Sequence, residues 1–188
     1  NVRCVGIGNG TGKIVVVGTR SRSTGNNQPR GEDATFYSPA VMAQVKDVLR
    51  RFFADPGRLK VGHNAGYYDR MVIRQWLGVE PEPTLDTILL HRLAASELPH
   101  SLGYVGSEYT DVHSWKADRQ GRKLAVDAET DRELHHYCGI DVAVTAACVE
   151  PLVRDVRIAE PNGLIATDHA VQRVCADMHH VGMFVDHN

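Results

Sequence analysis

The segment Tyr137-Cys138-Gly139-Ile140-Asp141 constrains this chain more than any other. It sets a tyrosine and a carboxylate four residues apart within a long run of helical apolar spacing. Positions i and i+4 share a helix face, and Leu134, Cys138, Val144 and Cys148 lie on the same face. Asp141 is therefore expected to point into the body of the protein. An ionised Asp buried without a counter-charge is costly, so it calls for a metal ion, a basic side chain or backbone donors. No Arg or Lys occurs between Glu133 and Leu152, which favours a metal or a helix-end cap.

The surrounding pattern is that of an α/β protein. Val2 to Ile7 and Lys13 to Val17 flank Gly8-Asn9-Gly10-Thr11-Gly12, which reads as a hairpin. A second strand follows these glycines instead of a helix with a Lys-Ser/Thr pair, which argues against a phosphate loop. Thr19 to Asp33 reads as a mobile surface loop. Ser38 and Pro39 open a helix with Val41, Val45, Val48 or Leu49, and Phe52 inward, stopped by Asp55-Pro56-Gly57. Leu59 to Gly62 is a short strand, Tyr68 to Leu77 a helix closed by Gly78, Thr84 to Asp86 a strand end and Thr87 to Ala95 a helix. Ser101 caps a short helix through Tyr109, and Thr130 caps the long helix that runs to Ile158. After Pro161-Asn162-Gly163, Thr167 to Val181 forms one more amphipathic helix.

A chain of 188 residues makes one ordinary domain with at most a short appendage. Its net charge of -2 offers no global attraction to a polyanion, so any nucleic-acid site must be local. Cys4, Cys138, Cys148 and Cys175 form no CxxC pair and are expected to be reduced core residues in a reducing compartment. No apolar run approaches the ~18 residues of a membrane span, and no membrane partner is expected. The histidine pairs His135-His136 and His179-His180 cannot share a helix face and are given no ligand role.

Three acids stand where chemistry is expected: Asp69 at a helix start after a strand, Asp86 at a strand end, and Asp141 within the long helix. Carboxylates gathered from several elements suit hard cations such as Mg²⁺. Two such ions about 3.5 to 4 Å apart stabilise both oxygens of an in-line phosphoryl displacement, which makes phosphodiester cleavage the natural reaction class. Plain readings stand beside this one: Tyr137 as a core aromatic, Asp69 as a helix N-terminal acid, Asn64 as a turn residue, and Asp86 as an N-cap. The last is preferred for Asp86 over metal ligation.

The order of these residues resembles the proofreading 3′→5′ exonuclease domain of family A DNA polymerases, in the DnaQ-like branch of the RNase H-like fold. His63-Asn64-Ala65-Gly66-Tyr67-Tyr68-Asp69 is similar to that family's second motif and Tyr137-Cys138-Gly139-Ile140-Asp141 to its third. Leu85 to His91 looks like its Asp-Thr segment, and Met178 to Asp186 like the start of the polymerase part. The resemblance implies an RNase H-like mixed sheet with flanking helices. It implies Asp69 and Asp141 as metal ligands, Tyr137 as the group orienting the attacking water, and Asn64 with Tyr68 as contacts to the 3′ end. Further implications are a two-ion Mg²⁺ or Mn²⁺ site, a single-stranded DNA 3′ end as substrate and the polymerase domain of the same polypeptide as partner. The cytoplasm of a bacterium or phage-infected cell is the implied location.

Residues 1–160 would form the exonuclease domain and 161–188 the start of the polymerase portion. Tyr67 and the loop from His113 to Lys123, with its basic residues, are further candidates for stacking and phosphate contact. The family's Asp-x-Glu motif is not found, because no Asp or Glu precedes Glu32. The expectation is a missing first strand and poor activity of this polypeptide alone. A stand-alone RNA 3′-end exonuclease and a catalytically dead scaffold or DNA-binding domain are the alternatives.

Overall fold

The computed structural model describes residues 2–21, 34–113, 115, 131–159 and 163–182. β1 (Cys4–Gly8) and β2 (Ile14–Gly18) pair antiparallel, with Cys4 opposite Gly18 and Gly6 opposite Val16. The hairpin turn is made by Gly10 and Gly12 at φ 72° and 91°, conformations that cost glycine nothing. Asn9 Oδ1 closes it by accepting from the backbone N–H of Thr11 at 3.0 Å and Lys13 at 3.2 Å. β3 (Arg20–Ser21) pairs antiparallel with β4 (Ala34–Thr35). Most of the expected loop from Thr19 to Asp33 and most of the basic loop from His113 to Lys123 lie outside the described residues.

α1 (Pro39–Ala54) begins as expected, with Ser38 Oγ accepting from Val41 N–H. Its inward face is narrower than expected: Leu49 is 3% exposed, whereas Val41 and Val48 are 41% and 56% exposed. The reason is location, since the helix packs at the periphery with α2 (Arg70–Leu77) as its neighbour. Arg50 Nε reaches across to the Leu77 carbonyl at 2.8 Å. Periodicity shows which residues can face a core but not how much core is there.

β5 (Lys60–Gly62) and β6 (Thr84–Asp86) pair in parallel, Gly62 opposite Asp86. The connection between them carries α2, entered through a single π-helical turn, Ala65–Asp69, and closed by Gly78 at φ 72°. α3 (Thr87–Ala94) follows β6 directly, and α4 (Leu102–Tyr109) is capped by Ser101 Oγ on Tyr104 N–H. α5 (Asp131–Ala159) is the long helix. α6 (Leu164–Val181) starts after Gly163, three residues before the expected Thr167.

The core joins α3, α4 and α5 through Leu90, Leu102, Val105, Val144, Cys148, Leu152 and Val156. Each such side chain contributes about 1.5–3 kcal/mol by leaving water. The opposite flank of α5 lies on β1, β2 and β5, where Gly6 and Gly8 allow close approach: a Cβ on Gly6 would sit 2.7 Å from Cys138 Sγ and one on Gly8 2.8 Å from Val142 Cγ1. The architecture is thus a mixed α/β fold of small sheets with flanking helices. Where one mixed sheet was expected, the described strands form three separate two-stranded ladders, because β1 and β5 are each paired on one side only.

Candidate active site

Asp86 organises the region. It is fully buried and its carboxylate accepts four hydrogen bonds. Oδ1 takes the backbone N–H of Asn64 at 2.7 Å and of Ile88 at 3.1 Å; Oδ2 takes Gly66 N–H at 3.0 Å and Gln172 Nε2 at 2.8 Å. Its own N–H donates to His169 Nε2 at 2.8 Å. That bond makes Nε2 an acceptor, so His169 carries its proton on Nδ1, which donates to the Ile165 carbonyl at 2.6 Å. Asp86 is therefore the N-cap of α3 and, beyond that role, the clamp that fixes the Asn64–Asp69 turn against α6. Asn64 sits at φ 60°, in the left-handed region that Asn tolerates, so the turn reading of this residue holds.

Arg70 strengthens the same junction. Its guanidinium, 8% exposed, bridges Glu80 and, at 3.1 Å, Asp177 of α6. Arg173 of α6 reaches Glu82 at 3.2 Å. α6 is thereby fastened to the turn, to α2 and to the loop before β6.

Asp69 ends the π-helical turn. Its side chain is exposed, with protein packed on its inner side. Desolvation, with a contribution from the Asp86 charge, pushes its carboxyl up to about 6. Asp141 lies half-buried on α5, and its Oδ1 accepts from Trp115 Nε1 at 2.8 Å. One partner of this inward carboxylate is thus a neutral donor from outside the helix.

Cys138 lies within electrostatic reach of both acids. Its thiol lies far above the ordinary range because of a hydrogen bond with Cys4, burial, and the charges of Cys4, Asp141 and Asp69. Both carboxylates therefore act on one side chain, one from the π-helical turn and one from α5. Tyr137, half-buried, precedes Cys138 on the same helix turn, one helical turn from Asp141. Tyr68 is 61% exposed, and Tyr67 is half-buried against His179 with ring centroids 5.3 Å apart.

The donor set fits a hard cation in part. Asp69 and Asp141 supply carboxylate oxygens of the kind Mg²⁺ takes one or two of, waters and phosphate completing its octahedron. No group of three His, Cys, Asp or Glu placed to hold a metal occurs among the described residues.

Histidines carry more of the structure than their sequence pattern announced. His91 is fully buried; its Nε2 meets Glu108 Oε2 at 3.0 Å and its Nδ1 meets His100 Nδ1 at 2.7 Å. Burial, then the His91 charge, lowers His100. Of the cysteines, Cys148 is a core residue as expected, Cys4 and Cys138 are half-buried, and Cys175 is exposed on α6.

The parallel βαβ unit and its flanking helices define a mixed α/β domain, and the comparisons supply its class as a nuclease-type enzyme domain. Residues 22–157 match the model of the 3′-5′ exonuclease family, and the chain belongs to that family as a DnaQ-like 3′-5′ exonuclease domain. A solved structure described as the apo form of the nuclease aligns with 98% of this chain and 81% of its own at a TM-score of 0.68 and 20% identity. NrnC of Brucella melitensis, solved bound to pGG, aligns over the same shares at a TM-score of 0.57 and 16% identity. At these identities the likeness concerns the fold. No curated protein sequence matches the chain.

Proposed function

We propose that this chain is an RNase H-like, divalent-cation-dependent exonuclease domain that removes nucleoside monophosphates from single-stranded DNA 3′ ends. In this reading it is the proofreading part of a family A DNA polymerase in a bacterial or phage-infected cytoplasm, working beside the polymerase domain of the same polypeptide. The observation that carries the reading is the match of residues 22–157 to the 3′-5′ exonuclease family; that the charges of Asp69 and Asp141 both act on the Cys138 thiol is consistent with it. A bound Mg²⁺ or Mn²⁺ would supply Lewis-acid stabilisation of the phosphoryl oxygens and a more acidic water.

The chain's own residues do the rest. Asp69 and Asp141 would hold the ion. The Tyr137 phenol, able both to donate and to accept, orients the attacking water. Asn64 is exposed on its fixed turn and contacts the terminal nucleotide, while the exposed ring of Tyr68 offers a base a stacking face. A two-ion site requires a further acidic segment of Asp-x-Glu type beside β1, whose outer edge is open to a neighbouring strand among the described residues. No helix among the described residues is long and apolar enough to cross a membrane.

A second reading is RNA 3′-end processing, which the Tyr137-x-x-x-Asp141 pattern equally allows. Sequence-matched 5′-labelled DNA and RNA strands, incubated with the chain in Mg²⁺ or Mn²⁺, test both. The expected result is slow shortening of DNA from its 3′ end, lost in Asp141→Asn. Faster shortening of RNA installs the second reading, and residual cleavage unaffected by Asp141→Asn rejects the site.

A further inference from the structure

Trp115 stands apart from the residues that the proposed chemistry uses. Its indole N–H, a donor with no acceptor capacity, is directed at Oδ1 of Asp141 at 2.8 Å, although the two residues are 26 positions apart. The ring reaches that place because α4 makes room for it. Gly106, a buried residue of α4, has no side chain, and a Cβ there would meet Trp115 Cη2 at 3.1 Å and Val144 Cγ1 at 2.6 Å. The benzene edge of the indole packs against the α3–α4–α5 core, where Val144 and Leu102 are buried. The pyrrole edge is left to address the carboxylate.

A bond of this kind selects among the states of an acid. A carboxylate on a helix swings between rotamers, and a cation that binds it must freeze one of them. An indole wedged against a packed core and bonded to one oxygen freezes the rotamer beforehand. The backbone under Asp141 is held as well, since its carbonyl accepts from Thr145 Oγ1 at 2.7 Å. Outer partners of this type orient metal-ligating carboxylates and raise their affinity.

We infer that Trp115 is a positioning residue for Asp141, seated by the Gly106 gap and holding the carboxylate in its cation-binding orientation through the indole N–H. This rests on the proposed ligand role of Asp141. The same bond makes Trp115 a built-in reporter, because an ion binding Asp141 draws electron density from the oxygen that the indole addresses. The chain's other tryptophan, Trp76, belongs to α2, with Lys46 Nζ 5.3 Å from its ring centre.

The test uses Mn²⁺ alone as the probe, with free ion counted by electron paramagnetic resonance. In Trp76→Phe, Trp115 emission is expected to change saturably with Mn²⁺ and to track the bound ion. Trp115→Phe keeps an aromatic ring against Gly106 but loses the N–H, and is expected to bind Mn²⁺ about 10- to 100-fold more weakly with unchanged helical circular dichroism. Undiminished binding by Trp115→Phe, or Trp115 emission indifferent to bound Mn²⁺, overturns this inference and leaves the metal site standing. Absence of Mn²⁺ binding by the unmodified chain overturns the metal site, and the inference with it.

Discussion

Replacing Asp86 by Asn changes one oxygen to an amide nitrogen and leaves the volume untouched, so its consequences follow from the hydrogen bonds alone. The side chain keeps a single acceptor for the Asn64 and Ile88 N–H groups on Oδ1. Its new NH₂ faces two donors, Gly66 N–H and Gln172 Nε2, where Oδ2 had accepted both. Gln172 can turn its amide and offer an oxygen. Gly66 cannot, and its buried N–H is orphaned at a cost of about 1–3 kcal/mol. The two bonds that survive lose their charge assistance, which is roughly half their strength. Together these give a loss of about 2–4 kcal/mol, a fall in melting temperature of about 5–15 °C for a domain of this size.

Urea unfolding followed by circular dichroism measures the loss, and a double-mutant cycle with Gln172→Ala apportions it. Because both substitutions act on one bond, the pair should be less than additive by at least about 0.5 kcal/mol. Asp86→Ala should be worse than Asp86→Asn, since it also removes the cap of α3, worth about 1 kcal/mol. A stability for Asp86→Asn within about 0.5 kcal/mol of the parent would refute the assignment of Asp86 as the clamp of the Asn64–Asp69 turn.

Two further outcomes rest on close contacts and on charge. Asp69 holds its proton more tightly in the fold than in the unfolded chain, because burial raises its carboxyl from 3.8 to about 6. Its contribution to stability is therefore complete below the unfolded value and is lost as pH rises through the folded one. Asp69→Asn should raise the melting point at pH 8 and flatten its decline between pH 4 and 7. Solvent contact at Asp69 limits the gain to about 1 kcal/mol, and thermal melts at pH 8 that coincide with the parent would count against the desolvated site. Gly6→Ala sets a Cβ 2.7 Å from Cys138 Sγ and 2.8 Å from Val142 Cγ2, which should cost about 1–3 kcal/mol in urea unfolding. Gly139→Ala meets only Val16 at 3.7 Å and should stabilise α5 by up to about 1 kcal/mol; the opposite order of the two would disprove the close seating of α5 on β1.

What the sequence disclosed is what neighbouring residues decide among themselves. The Gly10 and Gly12 hairpin, the Ser38 and Ser101 caps and the Gly78 stop are all set within four residues, and all are found where local chemistry puts them. The π-helical turn over Ala65–Asp69 is not local in this sense, because it is held by Asp86 from 22 residues away at Asn64. Likewise α6 starts early because Ile165 packs on the core and His169 and Gln172 reach Asp86, contacts that no window of the sequence contains. Trp115 belongs to a stretch whose local chemistry suggests stacking on bases; nothing in its own neighbourhood announces that its N–H meets Asp141. Val41 and Val48 show the complementary error, an apolar face drawn correctly but facing too little protein to bury it.

Asp86 and Asp69 lie close enough for the charge of one to raise the pKa of the other, yet the fold treats them oppositely. Asp86 is fully buried and receives four donors from three different segments, so its charge is stabilised by hydrogen bonds and its oxygens have no capacity left for a cation. Asp69 is exposed yet partly desolvated, with its own backbone N–H as the hydrogen bond that lowers it, and its charge reaches Cys138, as does that of Asp141. Assigning the donors to one acid and withholding them from its neighbour makes the first a fixed part of the scaffold and leaves the second at high free energy when ionised. In the proposed function that free energy is released when a cation arrives, so ion binding and folding stability are linked through Asp69. A carboxylate as well satisfied as Asp86 would bind an ion only by giving up hydrogen bonds of similar strength, which is why the sequence's three acids divide into one structural residue and two candidate ligands.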